Sequence, residues 1–236
     1  MAKKPIRRSE LREVVYSSDR WLLLERFRKQ TLRIMEHLEK IHVETLVHGS
    51  IARGDVSKKS DIDIFIPTQV SSFTVETALE KAGIPINRRL VVQATPTYAM
   101  KAHIEIDDST SVTFPLMKLR KVEREFYKFG GEANFDSVMK GLRTSGVDKC
   151  LMLIEPTEKG HSESTVVGRE EHVAKTLGIA METVLDRVHA LLRRDEVGRT
   201  GVFIEQEVAP NETFEMVLRR LARENPAVRR RLTQLC

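Results

Sequence analysis

The chain has 236 residues, of which 41% are apolar and 31% charged, with a formal net charge of +5. That length can bury one full core or two small ones, and the composition is that of a soluble globular protein. No stretch approaches a membrane span, no apolar signal region follows the basic start, and two cysteines, Cys150 and Cys236, offer neither a disulfide framework nor a zinc site, so the expected compartment is the cytoplasm.

Met1 to Arg8 reads as a loose basic start. A helix follows from about Asp19 to Lys40, where Leu24, Phe27, Ile34, Leu38 and Ile41 recur at helical spacing. Val43 to Val47 is a short apolar strand, closed by Gly49 and Ser50. Glycine lets a backbone approach a phosphate closely, and serine adds a hydroxyl and an N–H. Arg53, a short step on, can pair with phosphate oxygens, whereas Lys58 and Lys59 read as solvated loop cations.

The next apolar run, Asp61-Ile62-Asp63-Ile64-Phe65-Ile66, carries two carboxylates at i and i+2. In a strand such positions share a face, so Asp61 and Asp63 should project side by side while Ile62, Ile64 and Ile66 enter the core. A lone Asp-Ile-Asp is most often the wet face of a half-exposed sheet. Adjacent carboxylates also repel unless a cation neutralises them, and hard ions such as magnesium take oxygen ligands of this kind. With the Gly-Ser turn beside it in the sequence, the pair is expected to be a metal site.

This arrangement resembles the signature of the nucleotidyltransferase superfamily that includes DNA polymerase β: an apolar residue, Gly, Gly or Ser, about ten residues, then Asp, apolar, Asp or Glu, apolar. Ala52-Arg53-Gly54 is similar to the small minimal nucleotidyltransferases of bacteria and archaea, and the whole looks like an archaeal group of predicted nucleotidyltransferases. One departure is His48, where the pattern usually has an apolar residue. The resemblance implies transfer of an NMP from an NTP, ATP favoured, to a hydroxyl acceptor with pyrophosphate release. It implies two bound Mg²⁺ or Mn²⁺ ions, held by Asp61, Asp63 and a third carboxylate on a later strand, with Gly49, Ser50 and Arg53 at the nucleotide phosphates. Similarity to tRNA CCA-adding enzymes extends only to this core, the chain being too short for their further domains.

Downstream, Val75 to Ala82 reads as a helix closed by Gly83 and Pro85, and Leu90 to Ala94, Ala102 to Asp107 and Ser111 to Leu116 as strands. In the second of these, His103, Glu105 and Asp107 alternate with Ile104 and Ile106 and so share a face. By the family analogy the third carboxylate lies mid-strand, which selects Glu105, with Asp107 as its replacement. Asp107 and Asp108 otherwise read as turn residues ahead of Ser109-Thr110. Lys121 to Phe129 is a charged helix with an aromatic edge, Phe126, Tyr127 and Phe129, expected to be packing rather than a base-stacking platform. Lys149 to Glu155 reads as a last strand or an extended segment docked on the same domain, and the polar Thr157 to Ser164 as a linker.

Beyond it, Ala174, Gly178 and Val184 sit at the spacing of a helix-turn-helix, and Asp195 to Ile204 resembles the hairpin wing of winged-helix domains. Glu182 and Asp186 on the second helix favour protein contacts or RNA shape over a DNA groove. Thr213 to Cys236 is expected as an arginine-rich terminal helix, with Pro226 opening a second short one. The expected fold is therefore α+β: a polymerase-β-like core, a mixed sheet flanked by helices, in residues 1–156, and a mainly helical winged-helix-like domain in residues 165–236.

Charge is uneven along this layout. Residues 1–40 hold eleven Lys or Arg against six Asp or Glu, and residues 216–236 six Arg against one Glu, which leaves the middle negative. Basic ends around an acidic centre suit a phosphate-rich partner, so the expected acceptor is RNA, with tRNA a candidate and no membrane involved. The alternative is a winged-helix nucleic-acid-binding regulator whose front half senses nucleotide without catalysis.

Overall fold

The protein is described by a computed structural model, which covers residues 5, 11–198 and 201–233. The basic start and Cys236 lie outside the described residues. In chain order the elements are β1 (Arg12–Val15), α1 (Ser18–Glu39), β2 (Leu46–His48), α2 (Ser50–Arg53), β3 (Ile62–Phe65), α3 (Ser72–Lys81), β4 (Arg88–Gln93), β5 (Lys101–Asp107), β6 (Thr110–Pro115) and α4 (Lys121–Phe129). They continue with β7 (Glu132–Asn134), α5 (Phe135–Met139), β8 (Gly146–Val147), β9 (Met152–Thr157), β10 (Gly160–Thr165), α6 (Glu170–Leu177), α7 (Met181–Val197), β11 (Ile204–Glu207), α8 (Phe214–Glu224) and α9 (Pro226–Thr233). This is a mixed α and β architecture. No helix among the described residues is long and apolar enough to cross a membrane.

The chain divides into two compact units, each assembled from three segments rather than split at the boundary read near residues 156–165. The first comprises Met1–Leu32, Val47–Ser60 and Arg124–Thr200. Its sheet has the order β1-β10-β9-β8, antiparallel throughout. The segment read as a linker is the turn of the β9–β10 hairpin and β10 itself. That strand was hidden because its burial rests on polar partners: the His161 ring lies against the Tyr16 hydroxyl, Oη to Nδ1 2.6 Å, instead of an apolar stripe. Gly160 is required there, since a Cβ would collide with the Val14 carbonyl of β1.

The core of this unit joins Leu151 and Leu153 of the β9 region to Val166 and to Val173, Val184 and Val188 of α6 and α7. The expected helix-turn-helix pair is present, with Gly178 left-handed at φ 61° in the turn. Glu125 fixes its second helix by accepting from the Ala180 N–H (3.0 Å) and the Thr183 hydroxyl, an anion placed at a helix N-terminus. The hairpin wing is not formed as read. Asp195 to Val197 continue α7, Arg199 lies outside the described residues, and Ile204 opens β11. That strand finds its hydrogen-bond partner in β4, where an open edge would otherwise leave backbone groups unpaired.

The second unit comprises Arg33–Leu46, Asp61–Glu123 and Gly201–Cys236. Within it the strand order is β11-β4-β5-β6-β3, with β3 parallel to β6 and the other pairs antiparallel. One face is apolar: Ile62, Ile64, Ile66, Val112, Phe114, Ile104, Ala102 and Val91 are buried. Phe214 at the start of α8 meets Phe114 edge-on at 5.8 Å. Arg89 ties β4 to the helices, donating to Glu76 (2.6 Å) and to the Ala209 and Glu212 carbonyls. The buried Arg231 of α9 reaches the Thr97 and Lys118 carbonyls and the Glu123 carboxylate at 2.8 Å. With one face covered, the chemistry falls to the other.

Candidate active site

The polar face of the second unit presents a row set by strand register. Asp63 pairs with Ser111 across β3–β6, Ser111 with Glu105 across β6–β5, and Glu105 with Arg88 across β5–β4. Directly opposed residues share a face, so these four side chains form a line across the sheet. Asp63 is half-buried and accepts a hydrogen bond from the Ser111 hydroxyl at 3.0 Å. Asp61 is exposed and stands one residue ahead of β3, on the same side as Asp63 by alternation.

Glu105 is placed otherwise than the metal reading expects. It lies two strands from Asp63, about 10 Å between backbones. Its carboxylate receives the Arg88 guanidinium at 3.3 Å, and His103 Nε2 stands 3.9 Å away. Among the described residues no three His, Cys, Asp or Glu side chains converge closely enough to hold a metal ion. Asp61 and Asp63 remain a donor set that suits magnesium, which dehydrates reluctantly and is commonly bound by one or two carboxylates with water and substrate phosphate completing the shell. Asp107 is the exposed last residue of β5: burial raises its pKa, but the hydrogen bonds its Oδ1 accepts from the Ser109 N–H (2.8 Å) and hydroxyl (3.0 Å) outweigh this and hold its carboxyl low.

Residues that the motif does not contain complete this face. His103 Nδ1 lies 2.8 Å from the Thr113 hydroxyl, and burial pushes its pKa down although Glu105 and Asp63 pull it up. Lys101 Nζ stands 5.9 Å from the Phe65 ring. The alternation in Lys101-Ala-His103-Ile-Glu105 was a signal for these positions, whereas Ser111 and Arg88 needed the register.

The Gly49–Ser60 segment belongs to the first unit. Gly49 has φ 79°, a conformation that side chains disfavour; its N–H donates to the Gly131 carbonyl at 2.9 Å and its carbonyl accepts from the Arg53 N–H at 3.1 Å, while the space where a Cβ would stand is empty to 4 Å. The Ser50 hydroxyl donates to Ser60 Oγ at 2.9 Å, and Ser60 Oγ also accepts from the Ser57 N–H at 3.0 Å. Beneath, Arg28 is buried and donates to the Ile51 and Ala52 carbonyls, its pKa lowered to about 10 by burial and by Arg143.

Arg53 corrects an expectation. It is buried, with its Nε and Nη2 on the two Asp55 oxygens at 3.0 Å each and its Nη1 on the Gly130 and Val147 carbonyls. A guanidinium committed inward in this way organises the loop and does not face a phosphate. His48, the departure from the motif, packs edge-on against Tyr127 at 5.0 Å and Phe126 at 6.2 Å. Tyr127 and Phe129 are buried, which makes the aromatic edge of α4 largely packing.

Residues 28–128 match the family model described as a nucleotidyltransferase domain. That segment, less than half of the chain, is similar to nucleotidyltransferase domains. No curated protein matches the sequence. Among solved structures, a CCA-adding enzyme in complex with ATP is similar at 14% identity and a TM-score of 0.33, over 94% of this chain and 50% of that one. The chain thus spans half the length of that enzyme.

Proposed function

We propose that this protein transfers a nucleoside monophosphate from an NTP, ATP favoured, to a hydroxyl of RNA, with pyrophosphate as the leaving group. The observation that carries the reading is the start of β3, where Asp61 and Asp63 stand on the wet face while Ile62, Ile64 and Ile66 are buried. Asp61 and Asp63 would hold a divalent cation. Bound there, such an ion would lower the pKa of the acceptor hydroxyl and offset phosphate charge. Ser111 orients Asp63 through its hydroxyl. Glu105 we assign as the third carboxylate, on the ground that it shares the row of Asp63 and Ser111; taking up that role requires it to leave Arg88. Gly49 and Ser50 would lie at the nucleotide phosphates, Gly49 by leaving space free of a side chain and Ser50 by its hydroxyl. No covalent bond to the protein is needed, because positioning and charge complementarity suffice for in-line displacement.

RNA is favoured as acceptor by the basic surplus at both ends of the chain. The test is incubation with each labelled NTP, magnesium and total RNA. Labelled RNA is expected with the wild type and none with Asp61→Ala or Asp63→Ala. Equal labelling by all three proteins, or label on protein alone, would refute the RNA assignment. A nucleotide sensor would bind ATP and leave the RNA unlabelled.

A further inference from the structure

A cleft of about 510 Å³ lies wholly within the first unit, lined by Ser17, Asp19, Arg20, Leu23, Arg26, Ser57 and Lys58. Three cations face one acid there. Among the described residues no carboxylate forms an ion pair with Arg20, Arg26 or Lys58. Arg20 is held in place by the Tyr16 ring, its guanidinium carbon 4.1 Å from the ring centroid. Its Nε is buried and has no hydrogen-bond partner. The Arg20 guanidinium has no carboxylate partner among the described residues, and a phosphate oxygen entering the cleft would supply an anionic one.

We infer that this cleft binds the phosphodiester backbone of single-stranded RNA, which rests on the acceptor reading above and gives it a location. A free triphosphate has the same chemistry. The spread favours a strand: Arg20 and Arg26 are six residues apart on α1, about 9 Å along its axis, so the cations are distributed along the cleft and not gathered at one point. Lys58, which sequence alone reads as a solvated loop cation, also lines the cleft.

The test is fluorescence anisotropy of a labelled 12-nucleotide single-stranded RNA with the full chain and no NTP. Arg26 and Lys58 are exposed, so the double variant Arg26→Gln/Lys58→Gln should fold normally, as circular dichroism checks. It should bind at least about tenfold more weakly, with a salt slope shallower by about 1.4. Arg229→Gln/Arg230→Gln, which removes the same charge from exposed positions on α9, should change affinity less than twofold. The KM for ATP should stay unchanged in the cleft variant. Wild-type RNA affinity in the cleft variant, an equal loss in the α9 variant, or a raised ATP KM with unmoved RNA affinity would each overturn the inference. Repeating the titration with Asp63→Ala separates the two readings. Asp63→Ala should keep the cleft-dependent affinity, and a wild-type protein that binds through the cleft yet never labels RNA would leave the cleft standing and remove the catalyst.

Discussion

The Gly49–Ser60 segment of the first unit and the polar sheet face of the second handle charge in opposite ways. In the first, the arginines under the Gly49–Ser60 segment are buried and spent on fixed partners: Arg28 on the Ile51 and Ala52 carbonyls, Arg53 on Asp55 and two backbone oxygens. In the second, the carboxylates stand on the wet face of a sheet, with one hydroxyl on Asp63 and one guanidinium on Glu105. Buried charges that lose a partner are strongly destabilising, whereas half-exposed ones can be changed with little cost to the fold. The first unit therefore supplies a stiff loop, and the second supplies groups that remain available to a ligand.

Mutations should separate along this line. The largest effect is expected from Asp63→Asn, with nucleotidyl transfer falling about 10³-fold while thermal unfolding shifts little; a variant that loses activity only because it melts would erase the contrast. Arg53→Leu should do the reverse. It strands the largely buried Asp55 and should cost about 3–5 kcal/mol in denaturant unfolding. Glu105→Gln against Asp107→Asn decides the third carboxylate: transfer should drop about 10²-fold in the first and stay at wild type in the second, and the opposite pattern would hand the role to Asp107. Ser111→Ala should lower kcat by about tenfold with KM for ATP unchanged, the worth of one hydrogen bond to a charged group.

The smallest effect is on pH. Burial lowers the His103 pKa below its ordinary 6.5, so the unfolded chain takes the proton first as pH falls. Its contribution is therefore intact above pH 6.5 and is lost progressively below it. His161, depressed for the same reason, acts in the same direction. A chemical-denaturation series from pH 8 to 5 should show stability declining below 6.5, and His103→Gln should flatten part of that decline.

Periodicity and motif spacing made much of this molecule legible. The Asp-Ile-Asp alternation placed β3 and its buried isoleucines, the His103-Ile-Glu105 alternation placed β5, and glycines marked the ends of α4 and α6. These are local signals, because strand and helix geometry dictate which side of an element a residue takes. Partners distant in sequence were another matter. Nothing in the string says that β10 is a strand held by Tyr16, that β11 joins β4, or that Arg53 turns inward to Gly130 and Val147. Nor could it say that β6 lies between β3 and β5 and sets Glu105 apart from Asp63. The sequence by itself determined which residue types stand at which face of each element. Only the tertiary structure decided which of them meet, because side-chain pairing across a sheet depends on register and strand order between segments up to about 150 residues apart.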